Sequence, residues 1–376
     1  MRLFWLIFAP AIAYQLLAIV AGLRHLTRWA TYRPSNFRPG VSVLKPVRGM
    51  DPNIREAFAS QIAQQYPEFE ILFGVRDESD PAAAEIHRLR AAHPEAPVRL
   101  ITGADAAANG KVGVLMRLSE HARYPVWVVN DSDIKVTPEY LTQVVSPLEH
   151  SSIGVVTCPY RAMAHTAPAA WESLGIATDF IPSALVAQLL GVREFGFGST
   201  LAFRAADLVR AGGFRSVAAY IADDYQLAKR LTSLGKRALL STYTVETSLG
   251  QDSWSGVWMH QLRWARTIRA SKPGGHAGLP IAHAGVWLLL ALTMGAWVPA
   301  AVLAATRMLA AFIASAFVTR SRMAAFCWLA PAWDLYSFAV WAASYAGWEV
   351  RWRDSIMVLD AQGRIQSCSQ IEQQNG

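Results

Sequence analysis

Two kinds of apolar run organise this chain. Short β-branched runs recur at 41–45, 69–75, 98–101, 126–129 and 153–157, and long unbroken ones lie at the two ends. The short runs have the length and composition of buried strands. Between them, mixed apolar and polar stretches predict helices at 81–92 and 111–121. Asp51-Pro52 opens another, with Asp as N-cap and Pro in the first helical position. Later, a helix at 205–211 stops at Gly212-Gly213, and one at 226–234 is closed by Gly235. This β-α-β-α alternation predicts an α/β domain with a mainly parallel sheet and helices on both faces. No GxGxxG follows the first strand, which argues against a classical dinucleotide fold.

The long runs predict membrane segments. Residues 3–22 are almost uninterruptedly apolar, about the 20 residues needed to cross a bilayer. Ala11-Ile12-Ala13 offers a small-x-small cleavage site, but the apolar run continues past it, favouring an uncleaved anchor. Arg24, His25, Arg28, Arg33 and Arg38 follow, and the positive-inside rule puts the chain after them in the cytoplasm. Near the other end, 284–305 reads as one span and 324–348, with Asp334 inside it, as another. Residues 308–318 have only half the needed length. Spanning there draws Arg307 into the membrane and strands Arg351 and Arg353 outside; not spanning puts Arg320 and Arg322 outside, so either choice breaks the rule somewhere.

Two stretches lie between these patterns. Residues 253–269 predict an amphipathic helix in which Trp254, Trp258 and Trp264 mix with His260, Arg263, Arg266 and Arg269, as suits the membrane interface. Residues 171–190 are apolar yet contain Glu172, Asp179 and Pro182, and read as a membrane-touching or acceptor-facing segment. The expected organisation is an anchor at 1–31, an α/β domain at 32–252, an interfacial helix at 253–278, C-terminal spans at 279–350 and a polar tail at 351–376.

Composition agrees. Of 376 residues, 53% are hydrophobic and 17% charged, against the usual soluble share of about 25% charged. The net charge of +7 fits contact with anionic lipid, since no nucleic-acid motif accompanies it. Cys158, Cys327 and Cys368 have neither disulfide-framework nor zinc spacing.

The candidate chemistry is carboxylic. The 126–129 run ends on Asn130-Asp131-Ser132-Asp133, and ligands of open α/β sheets bind beyond the carboxyl ends of the strands. Two hard oxygen ligands there suit Mg²⁺ or Mn²⁺ carrying a diphosphate; the plainer reading is a polar turn. The 69–75 run also leads to a carboxylate, Asp77. Asp223-Asp224 opens a helix, where acidic groups meet the helix dipole; alternatively, crowding lifts one pKa and makes it a general base. Lys45 and Lys111 are either phosphate contacts or surface lysines. Gly196-Phe197-Gly198-Ser199 is a glycine turn, a plain loop or part of a substrate site.

Taken in order, Asp77, Asp131/Asp133, Asp223/Asp224 and His260-Gln261-Leu262-Arg263-Trp264 resemble the D, DxD, (E/D)D and (Q/R)xxRW series of inverting membrane glycosyltransferases of families 2 and 21. Val43-Leu44-Lys45-Pro46-Val47-Arg48-Gly49, Gln65-Tyr66-Pro67-Glu68-Phe69-Glu70-Ile71 and Arg76-Asp77 through Asp80-Pro81 resemble the N-terminal signature of ceramide glucosyltransferases and of the bacterial hopanoid-associated branch. The resemblance implies a GT-A domain in the cytoplasm, anchored in the bacterial cytoplasmic membrane by helices at both ends. It implies a UDP-sugar donor, a lipid acceptor and a divalent metal. In it, Asp77 holds uridine, Asp131 and Asp133 the metal and diphosphate, and Asp224 is the general base. Arg263 and Trp264 close over the diphosphate and the acceptor channel. Three departures stand out: His260 occupies the Gln/Arg position, with Gln261 one step out of register; Asp223 replaces Glu; and Asp133 stands where eukaryotic ceramide enzymes have Gly. The expected reaction moves glucose or a related hexose to a lipid such as ceramide. UDP-N-acetylglucosamine transfer to a hopanoid or glycerolipid is the nearest alternative. A nucleotide-binding scaffold or transporter has too few polar groups at mid-membrane, and a polysaccharide synthase needs more spans.

Overall fold

The computed structural model describes residues 2–250, 253–353 and 355–370; Met1, 251–252, 354 and 371–376, the last of them the end of the expected tail, lie outside the described residues. The chain divides into two compact units. One comprises Tyr32–Tyr160 and Val192–Gly250, the other Met1–Thr31, Arg161–Gly191 and Gln251–Gly376.

The first unit is built on a seven-stranded sheet. Its spatial order is Val98–Thr102, Phe69–Val75, Val41–Pro46, Val126–Val129, Leu201–Arg204, Ile153–Thr157, Arg237–Leu240. Leu201–Arg204 runs antiparallel to both its neighbours, and the other pairs are parallel. The apolar runs form central strands because both faces are covered: every residue of Val41–Pro46 and Val126–Val129 is buried. Phe58 of the helix Ile54–Ile62 packs on Phe73 at 4.5 Å, and burying such a ring stabilises by about 1.5–3 kcal/mol. Leu44 is in register with both Leu72 and Val129; the three parallel strands bring their C-terminal turns to one edge, with Val126–Val129 stopping first.

One helix start differs from expectation. Asp51 is not an N-cap: the helix begins at Ile54 behind Asn53, which is left-handed at φ 58°. The Asp51 carboxylate instead accepts a hydrogen bond from Ser132 Oγ.

The second unit is helical. Among the described residues, Trp5–Thr31, Trp297–Val318 and Arg322–Ala343 are long and apolar enough to cross a membrane, and Pro273–Ile281 with Ala284–Thr293 forms a pair bent by 42°. The span expected at 284–305 is therefore broken, and 308–318 is not a separate segment but the second half of Trp297–Val318. Composition is apolar throughout, so hydropathy alone does not see the break. It is made by Gly295 at φ 68°, with Gly295 N–H donating to the Leu292 carbonyl and Ala296 N–H to that of Ala291, a helix stop that needs a left-handed residue. Residues 161–191 belong to this unit, as Ala167–Gly175, a π-helical turn Ile176–Phe180 and Ile181–Leu189. Tyr14 bonds Ser183 at 2.9 Å and Arg28 bonds Gln188 at 2.9 Å, tying the N-terminal helix to this segment. Gly175 is required by close packing, since a Cβ there would lie 2.0 Å from the Trp333 ring. Much of the expected tail is also folded: Glu349–Trp352, Ser355–Leu359 and Ile365–Gln370 form an antiparallel sheet. Val350, Met357 and Leu359 supply its buried face, a period-two pattern too short and sparse to read as strands.

Candidate active site

The strand Val126–Val129 delivers Asn130 and Asp131 to the C-terminal edge of the parallel strands. Asn130 is fully buried, and so is Lys45 on the neighbouring strand. Lys45 Nζ donates to Asn130 Oδ1 at 3.0 Å and to the Asp131 carbonyl at 2.7 Å. It is thus no surface lysine but a brace beneath the acidic turn. Burial pulls its ammonium down to about 7, against the pull of Asp133, Asp131 and Asp51.

Above that brace stand three carboxylates. Asp131 is 42% exposed. Asp133 accepts from Thr247 Oγ1 and from Ser248 N–H at 3.2 Å. Burial, followed by the charge of Asp131, raises Asp133 to about 6, with Asp51 adding to the effect. Asp131 and Asp133, two hard oxygen donors of which Asp131 is open to solvent, are of the type that suits Mg²⁺ or Mn²⁺. No group of three or more His, Cys, Asp or Glu side chains suited to a metal occurs among the described residues, so a cation held here would take its remaining ligands from water and substrate oxygens.

Asp131 is joined to Asp223 through Lys111, whose Nζ lies 2.7 Å from Asp131 Oδ1 and 3.2 Å from Asp223 Oδ2. Burial works against its charge, but Asp131, Asp223 and Asp224 outweigh it and raise the pKa above the ordinary lysine value. The lysine sits at the start of the helix Gly110–Ser119, whose N-cap Asn109 accepts from Lys111 N–H at 3.0 Å. Asn109 Nδ2 in turn donates to Asp223 Oδ1 at 3.4 Å.

Asp224 lies in the first turn of Asp223–Thr232. Its Oδ2 accepts from Gly198 N–H at 2.9 Å and its Oδ1 from Tyr225 N–H at 2.7 Å. Burial first, then Asp223, raises it to about 6, with Lys111 opposing. The Gly198 carbonyl accepts from Asp131 N–H at 3.0 Å, so the glycine turn links both acidic pairs. A Cβ on Gly198 would meet Asp131 Oδ2 at 2.5 Å. Asn109 and Asp51 carry no site signal in the sequence, whereas the glycine turn at 196–199, a plain loop or part of a substrate site by sequence, joins the site through Gly198.

Asp77 stands two residues beyond its strand, exposed, with Oδ1 accepting from Ser79 N–H at 2.8 Å. That bond holds its carboxyl below the usual range. No hydrogen bond or ion pair joins it to Asp131, Asp133 or Asp224 among the described residues.

Arg263 and Trp264 belong to the helical unit, on the helix Trp254–Ser271. Trp264 packs against His260 at 4.9 Å and Phe180 at 6.0 Å. His260 Nδ1 and Gln261 Nε2 both contact Glu172 Oε1, at 2.5 and 2.7 Å. Two further cations of this helix are engaged inside the unit. Arg266 bonds the Glu349 carbonyl, and Arg269 bonds that of Gly347 at 2.6 Å while lying 3.8 Å over the Trp348 ring.

The mainly parallel α/β unit is GT-A-like. Among solved structures, a mannosyltransferase from Pyrobaculum calidifontis, in complex with GDP-Man and Mn²⁺, shares the fold with a TM-score of 0.53 at 20% identity, covering 88% of this chain and 97% of that one. The profile of Glycosyl transferase family 21 matches residues 3–365, and the chain belongs to that family. Ceramide glucosyltransferase 1 of Caenorhabditis elegans is 32% identical over 213 residues, 56% of this chain and 46% of that protein. Ceramide glucosyltransferase 3 of the same organism is 26% identical over 239 residues, 62% and 52% respectively. The match therefore spans about half the length of these curated relatives.

Proposed function

We propose that the protein is an inverting glycosyltransferase that moves glucose, or a related hexose, from a UDP-sugar to the hydroxyl of a membrane lipid, ceramide first among them. The observation that carries the reading is the Lys111 bridge between Asp131 and Asp223, which joins a diphosphate-type acidic turn to a base-type carboxylate pair. Asp224, raised to about 6, is deprotonated at neutral pH and still basic enough to take the proton of an attacking hydroxyl. A single base opposite the leaving group gives in-line displacement, and so a β-glycoside from an α-linked donor.

Asp131 and Asp133 would hold Mg²⁺ or Mn²⁺, which supplies charge stabilisation for the departing diphosphate. Lys45 fixes the backbone of that turn. Lys111 keeps its positive charge between the turn and the base pair, where leaving-group charge grows. Asp77 keeps the uridine role, and Arg263 and Trp264 the diphosphate and acceptor roles, that the resemblance implies. The three candidate spans support a membrane setting; the proposed orientation has the α/β unit in the cytoplasm, at the bacterial cytoplasmic membrane.

The test is product analysis. Protein in detergent with Mn²⁺ or Mg²⁺ receives UDP-glucose or UDP-N-acetylglucosamine with ceramide, diacylglycerol or a hopanoid alcohol, and lipids are read by mass spectrometry. A hexosyl ceramide that disappears with EDTA and in Asp224→Asn is expected. An N-acetylhexosaminyl hopanoid instead moves the assignment to that branch, and no lipid product from any pairing overturns the reading.

A further inference from the structure

Each residue of the Asp131-Ser132-Asp133 turn is gripped by a residue far off in the sequence. Lys45 Nζ holds the Asp131 carbonyl, Asp51 the Ser132 hydroxyl, and the strand Val245–Ser248 the Asp133 carboxylate. Backbone register builds the third grip. Lys135 and Glu246 pair antiparallel, Lys135 N–H donating to the Glu246 carbonyl at 2.8 Å and Glu246 N–H to the Lys135 carbonyl at 3.1 Å. Such an exchange fixes which residues lie side by side on the two strands, and it brings 247 and 248 alongside 133 and 134. There Thr247 Oγ1 donates to Asp133 Oδ2, and Ser248 N–H donates to the same oxygen at 3.2 Å. Asp133 Oδ1 accepts no hydrogen bond among the described residues. All of these residues belong to the α/β unit.

We propose that Thr247 is a positioning residue for the metal: its hydroxyl, together with the Ser248 N–H, occupies one oxygen of Asp133 and leaves the other for the cation. The inference rests on the metal-dependent reading above and deepens it by one residue, which acts through Asp133. A carboxylate free at both oxygens turns about its Cβ–Cγ bond, and a cation that binds it has to arrest that motion. With Oδ2 already held, Asp133 is arrested in the folded chain, and the ordering cost is met before the cation arrives. Hydrogen bonds from outer residues to metal-binding side chains are commonly worth about 10–100-fold in metal affinity. Threonine suits the task, since its β-branch restricts χ1 and so the direction of the hydroxyl. It also donates without bringing a positive charge that would repel the metal. A bond that merely fastened the strand to the turn would matter for melting and leave metal affinity alone.

The experiment uses the full chain in detergent and reads Mn²⁺ binding in the presence of UDP, by electron paramagnetic resonance of the free ion, with no turnover involved. Thr247→Val keeps the shape and loses the hydroxyl; Thr247→Ser keeps the hydroxyl. The Kd for Mn²⁺ should rise about tenfold or more in Thr247→Val and stay within about threefold of the wild type in Thr247→Ser. Turnover in Thr247→Val should return toward the wild-type rate as Mn²⁺ is raised, and the melting temperature in EDTA should change by only a few degrees. An unchanged Kd in Thr247→Val overturns the proposal. So does an equal weakening in Thr247→Ser, since the hydroxyl is then not what matters. Should Thr247→Val fail to fold, Thr247→Ala removes the same hydroxyl in less volume; failure of both overturns the proposal too, because the bond is then needed for the fold itself. A wild-type protein that binds UDP but no Mn²⁺ with it removes the metal reading, an outcome distinct from any difference between the variants.

Discussion

Arg307 and Asp334 meet as a bidentate ion pair inside the helical unit, with Nε 2.9 Å from Oδ2 and Nη2 2.6 Å from Oδ1. Both side chains are almost fully buried, at 3% and 0% exposure. Further bonds hold the pair in place: Arg307 Nη1 donates to the Thr178 carbonyl at 2.6 Å, and Gly285 N–H donates to Asp334 Oδ2 at 2.9 Å. Each partner lies on a helix apolar and long enough to cross a membrane, where an unpaired charge is least tolerated. Removing one partner by Asp334→Ala is therefore expected to cost about 3–5 kcal/mol, and replacing both by Arg307→Met with Asp334→Leu much less. Thermal unfolding in detergent checks this; equal losses in the single and double variants would contradict it.

Asp224→Asn is expected to lower turnover by about 10²–10⁴-fold, the usual worth of a general base. UDP binding, measured by calorimetry, should persist, because the amide still fills the space and can still accept from Gly198 N–H. Retained turnover would remove Asp224 from the base role.

The pH dependence has two opposite signs. A base raised to about 6 works only when ionised, so kcat/KM should fall about tenfold per pH unit below pH 6. Stability runs the other way. Asp224 and Asp133 both have folded values above the ordinary 3.8. Their stabilising contribution is complete below 3.8 and is lost as pH rises through about 6. Lys45, lowered from 10.5 to about 7, has the reverse sense, contributing above 10.5 and losing that contribution as pH falls through 7. Melting curves in EDTA between pH 4 and pH 6 isolate the carboxylates, and a flat activity profile down to pH 5 would count against Asp224 as the base.

Gly198→Ala separates site geometry from folding. The new Cβ, 2.5 Å from Asp131 Oδ2, pushes on the far end of a side chain that is 42% exposed and turns away at the expense of its ion pair with Lys111. The melting temperature should stay within a few degrees, roughly what a change below 1 kcal/mol produces. The Mn²⁺ concentration for half-maximal turnover should rise about tenfold or more, as displaced metal ligands cost affinity. An unchanged metal requirement would show that Asp131 is not a ligand.

Local pattern alone determined a good deal. The strands at 69–75 and 153–157, the helix at 81–92, the acidic strand end at Asp131 and the acidic helix start at Asp224 are all legible, because period, β-branching and caps act within a few residues. The ordered acidic and Arg-Trp motifs likewise carry the family resemblance by themselves. What tertiary structure decided involves partners far apart in sequence. Lys45 and Lys111 are indistinguishable from surface lysines until residues 85 and 20 positions away receive them. The glycine turn gains its meaning only when Gly198 is set between Asp131 and Asp224. The spans expected at 3–22 and 324–348 correspond to Trp5–Thr31 and Arg322–Ala343, whereas across 284–318 hydropathy is continuous through a break made by a single left-handed glycine, and the puzzle of Arg307 dissolves only when Asp334 meets it. Composition records which residues dislike water; the pairing that makes a buried charge tolerable exists only in the folded chain.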